Sequence, residues 1–147
     1  MATRPAGLHY DYDVSSRLFA VFYNVDHSLS ANTRLVHSLR AETLKYDYTN
    51  KHIVGNTKDD GTACGFGGCL YTRPASREDE FTNLGARFGV ERDSQLGMLY
   101  VTASSGLRPP QITELYSLRG GPTNADLNSE RVSAVERGLG NEGLGIA

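Results

Sequence analysis

Cys64 and Cys69 bracket the glycine-rich run CGFGGC, and they are the residues of this chain whose type and spacing come nearest to chemistry. Such a pair can be half of a zinc site, a redox couple or a small loop disulfide. Zinc takes four ligands, yet His52 is the one nearby histidine, and His9, His27 and His37 lie scattered elsewhere. Redox couples use the Cys-x-x-Cys spacing beside a βαβ unit, and this chain offers neither. A disulfide and two free thiols both remain open. The glycines do not read as a phosphate cradle, because no helix-forming segment follows them. Ser104 and Ser105 lack the His and Asp partners that would activate a hydroxyl. The expectation is therefore a protein that is not an enzyme, with no catalytic residues, no metal ligands and no cofactor.

Composition narrows the partners. Lys and Arg total 15 against 17 Asp and Glu, a formal net charge of −2, which argues against nucleic acid or an anionic membrane surface as an electrostatic partner. Eight Tyr, 16 Gly and no Trp favour pleated structure and turns. The opening MATRPAGLHYDYD has no apolar core or small-residue cleavage site, so it is not a secretory signal. Nowhere do about 18 consecutive apolar residues occur, which excludes a spanning helix but not a transmembrane barrel, whose strands alternate.

The elements that must position these residues follow from a period of two. A strand is expected over Val14 to Asp26, with Phe19, Val21, Tyr23 and Val25 in one row and Leu18, Ala20, Phe22 and Asn24 in the other. After a break at 27–32, a second runs from Thr33 to Tyr48. Leu35, Leu39 and Ala41 share one side of it, and Arg34, Ser38, Arg40 and Glu42 the other. Residues 49–79 form a long loop without periodicity. Alternation resumes over Glu80 to Arg92, turns through Asp93 to Gln95, and returns over Leu96 to Ser104. A second long loop covers 105–129, and a fifth strand runs from Glu130 to Leu139. Short and long connections thus alternate, as in an antiparallel up-and-down sheet. Outer-membrane barrels connect their strands in this way.

The run SSGLRPPQITELYSLRGG followed by NADLNSERVSAVERGL resembles the mid-barrel signature of TonB-dependent outer-membrane receptors. Matching positions are Gly106, Arg108, Pro110, Glu114, Leu115 and Tyr116, then Asn124, Leu127, Glu130, Glu136, Gly138 and Leu139. RLVHSLRAETLKYDYTN is similar to a strand of the same family, and residues 55–90 resemble an extracellular loop with its returning strand. The resemblance implies an all-β fold: antiparallel strands forming part of a transmembrane β-barrel, with two long loops outside the cell. In that frame Pro109 and Pro110 stop the ladder near Ser104, Arg108 and Glu114 flank the exit from the wall, and Tyr116 joins an aromatic girdle. Arg40 and Glu42 would face the lumen. The oxidising compartment would favour a Cys64–Cys69 disulfide at a loop tip.

The resemblance further implies a receptor for scarce solutes such as ferric siderophores, seated in the outer membrane of a Gram-negative bacterium. Its partners would be outer-membrane lipid, the rest of the barrel, a plug domain and the TonB energy-transducing system that acts through the plug; ligand contacts are not assigned. Such receptors have roughly 22 strands, against about five here, and signal, plug and terminal aromatic strand are not in the sequence. Residues 1–147 therefore read as part of one barrel, not transport-competent alone, since an open sheet in lipid leaves edge groups unpaired. Departures are His37, Ala41 and Arg137 at positions where lipid-facing apolar residues are usual, and Pro109 where the family has Ala. The alternative is a soluble β-rich binding or adhesion module with long recognition loops.

Overall fold

A computed structural model describes residues 7–120 and 125–140. Seven strands and one short helix follow in the order β1 (Tyr12–Ser30), β2 (Thr33–Asn50), β3 (Tyr71–Thr72), β4 (Arg77–Ser94), β5 (Gly97–Arg108), α1 (Ile112–Tyr116), β6 (Leu118–Arg119) and β7 (Glu130–Gly140). The long strands make one five-stranded sheet in the order β1-β2-β4-β5-β7, and β3 pairs with β6 in a second sheet of two. The protein is all-β and antiparallel, with up-and-down strands.

The chain divides into two compact units, and β1, β2 and β4 contribute residues to both. The first comprises Met1–Leu18, Leu44–Phe81 and Pro109–Asn128. Its core joins Tyr46 and Tyr48 of β2, Phe81 of β4, and Leu115 and Tyr116 of α1, with Tyr12, Val14, Leu44 and Ile112 around them. Tyr116 is 0% exposed and stacks on Tyr48 with ring centres 4.2 Å apart. Its hydroxyl donates to Asp79 Oδ2 at 2.6 Å, and Arg77 holds that carboxylate from the other side. Tyr10 donates to the Leu118 carbonyl, and the Tyr12 hydroxyl lies 3.3 Å from Ser117 Oγ. Tyr10, Tyr12 and Tyr116 each bury a ring while the hydroxyl reaches a partner, whereas the buried Tyr48 hydroxyl meets none.

The second unit comprises Phe19–Thr43, Thr82–Arg108 and Ser129–Ala147. Here the sheet is a single layer. Tyr23 on β1 meets His37 on β2 edge to face at 5.6 Å, which places their rows on one side. Tyr23, Leu35, His37, Leu39, Ala86, Phe88 and Ala103 line one shallow depression. Register carries that face outward: Phe88 opposes Ala103 and Val90 opposes Val101, while Ala103, Val101 and Leu99 oppose Val135, Arg137 and Leu139. The other face carries the paired charges, with Phe22, Val36 and Val132 interspersed among them. Arg34 pairs with Glu91 across β2 and β4 at 3.0 Å, and Asn83 donates to Glu42 at 3.2 Å. Among the described residues, every buried apolar side chain belongs to the first unit and none to the second.

Several boundaries differ from the sequence expectation. β1 continues through the polar stretch His27–Ser30 to a two-residue turn at Ala31–Asn32, since pairing with β2 outweighs local polarity, and the Asn32 carbonyl accepts the Asp93 N–H of β4. The second turn is Gln95–Leu96, with Gly97 at φ 117° opening β5 against Ser94. The wall does not end near Ser104: β5 pairs with β7 as far as Arg108 opposite Glu130, one residue short of Pro109. The two intervals expected as irregular loops hold β3, α1 and β6. Tyr116 does not join an exposed aromatic girdle, since α1 turns its ring into the core.

Replacing Tyr116 by alanine is expected to destabilise the first unit by about 3–5 kcal/mol, and by phenylalanine by about 1 kcal/mol. Hydrogen exchange of amides at 44–50 and 77–81 reads both effects. Tyr48 gives a pH signature, because burial pushes its hydroxyl up to about 12. The unfolded side chain ionises near 10, so its contribution is intact below about pH 10 and lost as pH rises toward about 12. Alkaline melting of the first unit that is shallower in Tyr48→Phe checks this.

Candidate functional site

The first unit carries the interval between β2 and β4 on one residue, Arg73. It is 1% exposed. Its Nε donates to the Ile53 carbonyl at 2.6 Å, and Nη2 to the Thr57 carbonyl and hydroxyl, both at 2.8 Å, and to the Lys58 carbonyl at 3.1 Å. Nη1 reaches the His9 carbonyl and Asp59 Oδ1, each at 3.3 Å. A guanidinium presents its donors in a rigid plane, so one side chain satisfies the carbonyls of a segment that has no ladder of its own. The backbone of Arg73 bridges to Gly55, whose φ of 105° suits glycine.

Asn56 does the same for the following turn. Its Nδ2 donates to the Cys69 and Tyr71 carbonyls and to Thr72 Oγ1, and its Oδ1 accepts the Cys69 N–H at 2.6 Å. Cys64 and Cys69 are joined in a disulfide with Cα atoms 5.3 Å apart, closing the CGFGGC tip. Beside it His9 stacks on Tyr71 at 4.1 Å and places Nδ1 3.1 Å from Asp59 Oδ2. These residues with Thr57, Lys58 and Leu70 line a cleft of about 240 Å³. Enclosed ligand sites occupy roughly 300–1,000 Å³, so this cleft grips part of a ligand at most. Among the described residues, no three of His, Cys, Asp and Glu gather where they could hold a metal ion.

The motif residues divide by role. Arg108 pairs with Glu130 at 3.2 Å and fastens β5 to β7 where the ladder stops. The Gln111 N–H donates to Glu114 at 2.7 Å, closing the first turn of α1. Pro110 is buried, Leu115 is 2% exposed, and both Leu115 and Tyr116 serve the packing of the first unit. Gly106 opposes Val132, and Glu136 opposes Thr102. Gly138 opposes Tyr100, whose ring lies so close that a Cβ on Gly138 would come within 2.6 Å of the hydroxyl. Leu139 shares the apolar face with Leu99. Asn124 and the closing NEGLGIA lie outside the described residues. The structure thus groups Leu115 and Tyr116 with the core, and Arg108, Glu136, Gly138 and Leu139 along β5 and β7.

Arg40 and Glu42 meet at 2.8 Å on the charge-bearing face, where Asn83 adds its amide to the same carboxylate. Asn24, Asp26, Arg34, Val36, Arg87 and Glu91 line a further hollow of about 240 Å³ on that face. Arg73 and Asn56 are the residues sequence reasoning missed. A buried arginine between Thr72 and Pro74, in an interval poor in periodicity, has no signal other than that composition. No protein-family model matches the chain, and neither a curated protein nor a solved structure matches it.

Substituting Arg73 by methionine keeps volume but strands the carbonyls of Ile53, Thr57 and Lys58, at an expected cost of about 3–5 kcal/mol to local order. Limited trypsin digestion at Lys51 and Lys58 should accelerate strongly in R73M. Reducing the disulfide should loosen only the tip, leaving exchange rates at 44–50 unchanged.

Proposed function

We propose that the chain is part of the wall and outer loops of a TonB-dependent outer-membrane receptor for scarce solutes, most simply ferric siderophores. The observation that carries this reading is the single-layer sheet of the second unit, with an apolar row on one face, ion pairs on the other and, among its described residues, no buried apolar side chain. An apolar face of that extent needs a covering medium, and a bilayer supplies one. Two-residue turns alternating with long, folded connections fit a barrel with short turns on one side of the membrane. The residues matching the receptor signature add the family.

In this frame the apolar row meets lipid, and Arg40, Glu42, Arg34 and Glu91 face an aqueous lumen, where charges are tolerated. Loops held by Arg73, Asn56 and the disulfide present a fixed outer surface to a solute. The plug domain, the remaining strands and the energy-transducing partner complete the machine. Solute capture would then use the outer surface and lumen together, in keeping with the small volume of the cleft beside His9.

Flotation with vesicles tests the membrane part. The chain, refolded with phosphatidylcholine vesicles, should float with lipid, and without lipid or detergent it should self-associate. A monomer in plain buffer that unfolds cooperatively would contradict the reading and favour a β-rich binding module. The coding sequence on either side tests the family part: a plug-like domain upstream and further alternating strands downstream are expected, and flanks without strands would contradict it.

A further inference from the structure

Three arginines stand on the apolar face of the second unit: Arg92 on β4, and Arg131 and Arg137 on β7. Arg131 reaches Ser105 Oγ at 3.3 Å toward the Arg108 end of the ladder, whereas Arg92 and Arg137 stand at the hairpin end with β5 between them. Arg92 opposes Leu99, which opposes Leu139, and Val101 lies between Val90 and Arg137. Arg92 and Arg137 are both exposed, and neither makes an ion pair or hydrogen bond among the described residues. With Val90, Leu99, Tyr100, Val101 and Gly138 they line an open groove of about 590 Å³. No carboxylate lines it: strand alternation puts Glu91, Asp93 and Glu136 on the other face. The tip of the β4–β5 hairpin, Gln95–Leu96, begins three residues beyond Arg92.

We propose that this groove binds an anionic glycerophospholipid of the leaflet at the short-turn end of the sheet, an inference that rests on the lipid-facing reading above. Two uncompensated guanidiniums beside an aliphatic floor complement an amphiphile with a net negative head. Guanidinium forks match phosphate oxygens two at a time. Their stems lie along apolar surface while the heads reach toward the interface. Val90, Leu99 and Val101 then receive the first part of an acyl chain. The same contact explains why charges on a lipid-facing row are tolerated here. A charge at the bilayer midplane costs roughly 2–4 kcal/mol, falling to about 0–1 near the interface.

The chain has no tryptophan, so Leu139→Trp on the same face introduces a single reporter. The protein is refolded into phosphatidylcholine vesicles containing increasing fractions of either brominated phosphatidylglycerol or brominated phosphatidylcholine, and quenching is compared. Quenching by the anionic lipid should reach half-maximum at a mole fraction on the order of tenfold lower. Arg92→Gln with Arg137→Gln should abolish that preference, and Arg92→Lys with Arg137→Lys should keep part of it. Arg87→Gln with Arg131→Gln removes equal charge elsewhere and should leave the preference intact. Equal quenching by both lipids, or a preference surviving in the Arg92 and Arg137 glutamine variant, overturns the headgroup site alone. Loss of the preference to millimolar inorganic phosphate would make it a free-anion site and also overturn it. Quenching by neither lipid overturns the lipid-facing reading itself, and the headgroup site with it.

Discussion

Phe19, Val21, Tyr23 and Val25 stand in one row of β1, and across β2, β4 and β5 the row continues through Leu35, Leu39, Phe88, Val90, Leu99 and Val101, with no layer of described residues above it. Phe19 is 70% and Val101 55% exposed. Burying a side chain of this size is worth about 1.5–3 kcal/mol, so a face of this extent left in water forgoes a large stabilisation. The opposite face cannot serve as a core, because Arg34, Arg40, Glu42 and Glu91 pair across it. Every other property of the second unit depends on what covers the apolar row.

The first unit is free of that constraint. It closes its own core around Tyr46, Tyr48, Phe81, Leu115 and Tyr116. It also satisfies the carbonyls of an irregular segment with Arg73 and Asn56 instead of a ladder. A segment so fastened keeps its shape without strand partners on both sides. The ELY residues of the receptor-like motif act here as a cap and two core side chains. Their role is to fasten α1 and fill the core of the first unit.

What the sequence made legible was set by periodicity. A period of two identified all five long strands and assigned the rows, because each face of a single-layer sheet sees one environment and the side chains report it. Strand ends were misread where polar residues, such as His27, Ser28 and Ser30, still pair. The same holds for Gly106 to Arg108, where hydrogen bonding to β7 outlasts the hydrophobic pattern. β3 and β6 are two residues each, too short to show a period, and α1 is a single capped turn whose Glu114 signal is visible only once Gln111 is known to start it. Arg73 gave no sign of its burial, since a buried guanidinium is specified by carbonyls remote in sequence. Arg137, an oddity in the row, gained meaning only when register brought it beside β5 with Arg92 on the other side.

The central claim is that the apolar row of the second unit is immersed in lipid. Nitroxide labels placed singly at successive positions 86 to 90 of β4 in the bilayer-reconstituted chain test it by collision with oxygen, which concentrates in lipid, and with a water-soluble nickel chelate. The account predicts a period of two: labels at 86, 88 and 90 oxygen-accessible and shielded from nickel, with 87 and 89 the reverse. Uniform nickel access along all five positions, or the opposite phase, would contradict it.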